Sequence, residues 1–120
     1  MTDVPREEWR EVLDSLSRSH HGWLVTLEVT DGGAPRVQGR ELPLAGMEVE
    51  GDRPGQRVVF HLGGEPTGHR LTHELARPAH VRLDQTVAGA LRGLEVDSDE
   101  GQTVRLRFRS PMLPEMVDGI

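Results

Sequence analysis

The chain has no cysteine, which excludes disulfides, thiolate metal sites and cysteine nucleophiles. It has no Tyr, and only two Trp and two Phe among 120 residues. With so little aromatic bulk, the core must be assembled from Leu and Val. Lys and Asn are absent too, so all 14 basic residues are Arg, set against 20 acidic ones. Lys, Asn and the nearly absent Ile share AT-rich codons, so a GC-rich genome accounts for the bias without any demand for guanidinium chemistry. The net charge of −6 opposes general affinity for nucleic acid. No apolar run approaches the ~20 residues that a membrane helix needs. No basic segment followed by an apolar one marks a signal peptide. The expectation is a soluble cytoplasmic protein of one domain that does not engage a membrane.

What is present is alternation. Apolar and polar residues alternate from Trp23 to Val29 and again from Thr103 to Phe108. A period of two marks half-buried strands, one face on a core and the other in water. Ahead of them, Trp9, Val12, Leu13 and Leu16 follow helical spacing and form one apolar stripe. Pro5 opens that helix and Gly22 stops it, which predicts a helix over about 5–21 that packs on its own sheet. The fold class expected is mainly β with one N-terminal α-helix: a small antiparallel β-barrel or sandwich of about seven or eight short strands. The domain covers 1–109, and 110–120 forms an apolar, Pro-containing tail.

The turns predict registers. Asp31-Gly32-Gly33 joins strand 23–30 to a strand 36–42, with Val29 opposite Val37, and Pro43 limits the second strand to an edge or forces a bend. A further strand lies near 47–50, and another covers 57–62 with Val58, Phe60 and Leu62 inward. Strands 71–75 and 79–85 follow, separated at Pro78. In the last hairpin, matching apolar faces pairs Val96 with Leu106 and Leu94 with Phe108. The same register puts Asp97 opposite Arg105 and Glu95 opposite Arg107.

Several stretches carry a family resemblance. They are Pro5 to Trp9, Ser17 through His20-His21-Gly22-Trp23 to Val29, Arg40-Glu41-Leu42-Pro43-Leu44, Leu71-Thr72-His73-Glu74-Leu75 and Arg105 to Phe108. Over residues 4 to 108 the chain resembles a family of short bacterial proteins catalogued only as a domain of unknown function. The resemblance implies a single domain and brings no activity, ligand or catalytic residue.

Candidate chemistry is sparse. Histidine alone titrates near neutrality unperturbed, and His61, His69, His73 and His80 fall within twenty residues. With Arg70 and Arg82 they form a candidate ligand-binding set beside the Gly-rich stretch 63–68. The set lacks the His-x-His and His-Glu-x-x-His spacings of a metal site, and no metal or cofactor is expected. No serine sits in a nucleophile elbow and no phosphate-binding Gly-rich loop is present, so no catalytic residue is assigned. Arg105, Arg107 and Arg109 make a stripe that could grip phosphates, but facing acids and inward phenylalanines make nucleic acid an unfavoured partner. The apolar tail residues Met112, Leu113, Met116, Val117 and Ile120 are candidate partner-binding residues. The leading expectation is thus a non-catalytic protein-interaction module that binds a protein partner or a second copy of itself as a homodimer. The alternatives are a small-ligand or metal-binding protein or enzyme using the 61–80 histidines, and a nucleic-acid-binding small barrel.

Overall fold

The computed structural model describes residues 1–64 and 68–112. Eight antiparallel strands form one sheet, accompanied by one short helix. The strands are β1 (Thr2–Asp3), β2 (Leu24–Asp31), β3 (Arg36–Glu50), β4 (Arg57–Gly64), β5 (His69–Ala76), β6 (Pro78–Gln85), β7 (Leu91–Ser98) and β8 (Gln102–Met112). They lie in the order β1-β6-β7-β8-β2-β3-β4-β5, so among the described residues β1 and β5 are the edges and the ladder does not close. No helix among the described residues is long and apolar enough to cross a membrane.

The helix α1 (Trp9–Ser19) follows a single 3-10 turn at Arg6–Glu8. Its apolar stripe faces the sheet: Trp9 and Leu13 are buried, and Val12 and Leu16 pack against the same core. The Trp9 indole N–H donates to the Val4 carbonyl at 2.9 Å, so the largest core side chain keeps its one polar group satisfied. Ser17 clips the helix to β3: its hydroxyl donates to the Leu13 carbonyl at 2.7 Å and accepts the Met47 N–H at 2.8 Å. Gly22 leaves the helix at φ +87°, a conformation that favours glycine. Asp14 pairs with Arg18 as its i, i+4 spacing suggests, whereas Arg10 turns away to the Val49 and Gly51 carbonyls and to Asp52.

The core is built from Leu and Val around Trp9, Phe60 and Phe108. Leu106 is 0% and Phe108 6% exposed, while the side chains of Arg105 and Arg107 are 47% and 56% exposed. The pleat therefore runs as the alternation predicts. Val58, Phe60 and Leu62 are buried from β4 as expected.

Four details differ. The two strands expected on either side of Pro43 are one, β3, whose first part pairs with β2 and whose second part pairs with β4. It turns the corner through Glu41 at φ 50° and an irregularity between Leu44 and Gly46. Pro43 costs no bond to β2, because Leu44 supplies the N–H that reaches the Trp23 carbonyl at 2.8 Å. The β2–β3 register is also one residue off: Glu28 faces Val37 and Val29 faces Arg36, after irregularities beside Leu27. A bulge moves side chains to the opposite face, so Val37 is left 40% exposed.

The last hairpin is shifted by two residues. Val96 pairs with Val104, Leu94 with Leu106, and Glu95 with Arg105 rather than Arg107, while Asp97 faces Thr103. A two-residue shift keeps every face, so apolar matching could not choose between the registers. The turn chooses: Gly101 takes φ +89° and donates to the Ser98 carbonyl at 3.2 Å, and the Ser98 hydroxyl accepts the Glu100 N–H at 3.0 Å. Finally, β8 runs on through Pro111 to Met112, where an irregular tail was expected. Residues 113–120 lie outside the described residues.

The sequence passes from the edge strand β5 to β6 through one residue, Arg77, at φ 53°. The Arg77 N–H donates to the Gln56 carbonyl at 3.1 Å, and its carbonyl accepts the Asp99 N–H at 3.0 Å. This joint draws together the start of β4, the end of β5 and the β7–β8 turn.

Candidate functional site

The histidine set divides among separate places. His61 stands on β4, paired in register with Gly46 and Thr72, and its Nε2 lies 2.8 Å from Glu48 Oε2. With Arg70, Arg18 and His21 it lines a groove of about 700 Å³ between α1 and the β3–β4 surface. His80 and Arg82 are on β6, separated from β4 in the sheet order by β7, β8, β2 and β3. There Asp97 joins them: its Oδ1 is 2.9 Å from His80 Nδ1, and its Oδ2 accepts from Arg82 Nη1 at 2.9 Å. That hydrogen bond, with the charges of Asp97, Asp3 and Glu95, raises the Arg82 guanidinium against the opposing effect of desolvation. His69 belongs to β5 by its backbone, and its side chain lies outside the described residues.

His73 faces inward on β5, opposite Phe60 and on the face shared by Leu71 and Leu75. Its Nε2 is buried and has no hydrogen-bond partner among the described residues. Burial pushes the ring below the usual histidine range, partly offset by a hydrogen bond with Gln102 and the charge of Glu74. No group of three or more His, Cys, Asp or Glu that could hold a metal ion occurs among the described residues. Of the proposed tail residues, Met112 is in β8 with its backbone opposite Leu91. Leu113, Met116, Val117 and Ile120 lie outside the described residues.

The arginine stripe on β8 is matched by acids. Arg105 bonds Glu95 across to β7, Arg107 Nη2 donates to Glu28 on β2 at 2.9 Å, and Arg109 lies 3.4 Å from Glu41 on β3. The bond to Glu95 raises the Arg105 guanidinium. A stripe neutralised in this way offers little to a phosphate backbone.

A third place contains residues that motif spacing did not single out. Arg6, Arg53, Gln56, Arg77, Pro78 and Asp99 frame a cleft of about 340 Å³ at the joint between β5 and β6. The Arg6 guanidinium donates to Gln56 Oε1 at 2.7 Å and to the Pro78 carbonyl at 3.1 Å, and lies 4.2 Å from the Trp9 ring centre. These lining residues come from four separated segments, so spacing carries no trace of them. The one local signal is proline: Arg6, Arg53 and Arg77 each adjoin one.

His20 also proves structural. Its ring stacks on Phe108 at 5.1 Å and meets Trp23 edge-on at 4.4 Å, capping the core where α1 ends. Burial lowers its pKa, partly offset by the Leu16 carbonyl.

Comparison with known families matches residues 1–116 to the model of a family of unknown function. The chain belongs to that family, DUF5335. The match takes in β1 at one end and reaches four residues past Met112 at the other, so the family includes the start of the apolar tail. No curated protein and no solved structure matches the chain.

Proposed function

We propose that this member of DUF5335 is a non-catalytic interaction module that pairs with a second copy of itself along the free edge of β5. In this reading the curled sheet is an open barrel, and β5 is one lip of its seam. The observation that carries the proposal is the pattern on that edge. β5 spans His69–Ala76 and, among the described residues, pairs only with β4 in the ladder, while the opposite edge of the sheet is the two-residue β1. An unpaired strand edge is a row of N–H and C=O groups open to another chain. The exposed residues of β5 among those described are Arg70, Thr72, Glu74 and Ala76. An antiparallel pair of β5 strands related by a two-fold axis at Thr72 sets each Arg70 against Glu74 of the other copy. The strand is therefore charge-complementary to itself, as a two-fold interface requires. The scatter of the histidines and the pairing of the β8 arginines favour this reading over catalysis or nucleic-acid binding.

Light scattering after size exclusion tests it on the full chain. The expected mass is that of two chains. Arg70→Glu sets like charges against each other and gives one chain, and adding Glu74→Arg restores two. A wild-type monomer at all concentrations, or a dimer indifferent to the charge swap, overturns it. A dimer lost only on truncation after Met112 assigns the contact to the tail instead.

A further inference from the structure

We propose that the cleft framed by Arg6, Arg53 and Arg77 is a binding site for a phosphate group, either free or as the monoester of a small metabolite. The case rests on how the charges are held. Arg6 is fixed from three sides, by Gln56 Oε1 at 2.7 Å, the Pro78 carbonyl at 3.1 Å and the Trp9 ring at 4.2 Å. None of these partners is a carboxylate. The guanidinium is positioned by neutral partners and bonds no carboxylate, which suits a preorganised anion site. Arg53 comes from the loop between β3 and β4 and lies near enough for its charge to disfavour the protonated Arg6, adding to the larger effect of burial. The charge of Asp99 acts on Arg6 in the opposite direction and only in part offsets these effects.

The balance of the lining points the same way. Three guanidinium groups face a single carboxylate, Asp99, which lies 3.7 Å from Arg77. The local excess is two positive charges, matching the roughly two negative charges of a phosphate monoester at neutral pH. Arginine offers paired N–H donors at the spacing of phosphate oxygens, and Arg6 keeps donors beyond the two it uses. The backbone holds the frame: the Arg77 N–H and carbonyl are tied to Gln56 and Asp99 at 3.1 and 3.0 Å, so two walls of the cleft are fixed by main-chain bonds. The cleft, about 340 Å³, admits a phosphate with a small organic group attached. It is distinct from the β5 edge, and its test does not depend on oligomeric state.

Isothermal titration of the full chain at low salt, with inorganic phosphate and separately with glycerol phosphate, tests the proposal. The expected result is saturable one-site binding of at least one of the two, weakened tenfold or more in Arg53→Gln and Arg77→Gln. Arg53 is exposed and outside any strand, so its replacement leaves the fold in place. Asp99→Asn is expected to tighten binding. Arg36→Gln, a control at the start of β3, leaves it unchanged. Preference for glycerol phosphate over inorganic phosphate identifies a metabolite ester as the source, and the reverse identifies the free ion. Absence of saturation with both probes overturns the proposal. So does equal weakening by Arg36→Gln, which reports only charge screening. Acetate binding as tight as phosphate also overturns it, because the site then takes any carboxylate.

Discussion

Gly93→Ala reverses the sign that strand propensity gives it. Glycine inside a strand ordinarily costs about 0.5–1 kcal/mol relative to alanine, so the sequence alone makes the substitution stabilising. Gly93 is not free to accept it. It lies on β7 opposite Arg107, just past an irregularity at Leu91, where the backbone of β8 crosses closely. A Cβ built there falls 2.3 Å from the Leu106 carbonyl oxygen and 3.2 Å from the Arg107 Cα. Both obstacles are main chain in the middle of a paired strand, so no flexible side chain can yield. Relief requires β7 and β8 to separate, which disturbs the neighbouring Leu94–Leu106 pair in the core. Overpacking of this kind costs about 1–3 kcal/mol, and the backbone nature of the clash places Gly93→Ala at the upper end. At this chain length that lowers the melting temperature by roughly 4–12 °C. Urea unfolding followed by circular dichroism measures it, with Gly33→Ala as the control. Gly33 has open space around its Cβ position and no positive φ, so that change is neutral or slightly stabilising. Gly93→Ala with a midpoint at or above wild type would refute the close approach of the β8 backbone to Gly93.

Two further outcomes follow from the packing. Leu13 is fully buried between α1 and the sheet, so Leu13→Ala lowers stability of the isolated protein by about 2–5 kcal/mol in chemical denaturation. A loss below about 0.5 kcal/mol would mean that the stripe on α1 is made for a partner and not for its own core. Stability also falls as pH drops below neutrality, because burial holds both His20 and His73 below the usual histidine value. A lowered folded pKa means that the unfolded chain takes up protons first. Stability is therefore complete above the unfolded value near 6.5 and declines as pH falls from there toward the folded values. Urea midpoints at pH 7.5 and 5.5 show the decline, and His73→Leu reduces it; a slope unchanged by His73→Leu refutes that residue's share.

What the sequence discloses and what it hides have one physical origin here. Side-chain alternation reports which face of a strand is wet, and it does so locally. The burial of Leu106 and Phe108 and the exposure of Arg105 and Arg107 were therefore legible. Register is a relation between two strands, and a shift by two preserves every face. Glu95 thus found Arg105 and not Arg107, because the hydrogen bonds around Ser98 and Gly101 decided the turn. The histidines near one another in sequence failed to converge for a related reason. Neighbours on one strand alternate between faces, so His73 turned inward beside Leu75 while Thr72 and Glu74 turned out. Convergence in a β-protein comes from turns and joints, where distant segments are stitched by main-chain bonds. The residues brought together that way are Arg6, Arg53 and Arg77, each beside a proline in a connecting segment and each remote from the others in sequence. The cleft they frame exists because β5 hands over to β6 in one residue, and that single-residue joint also leaves β5 as an edge. Both proposed sites thus adjoin the same joint between β5 and β6, one using the backbone of β5 and the other the charge of the cleft.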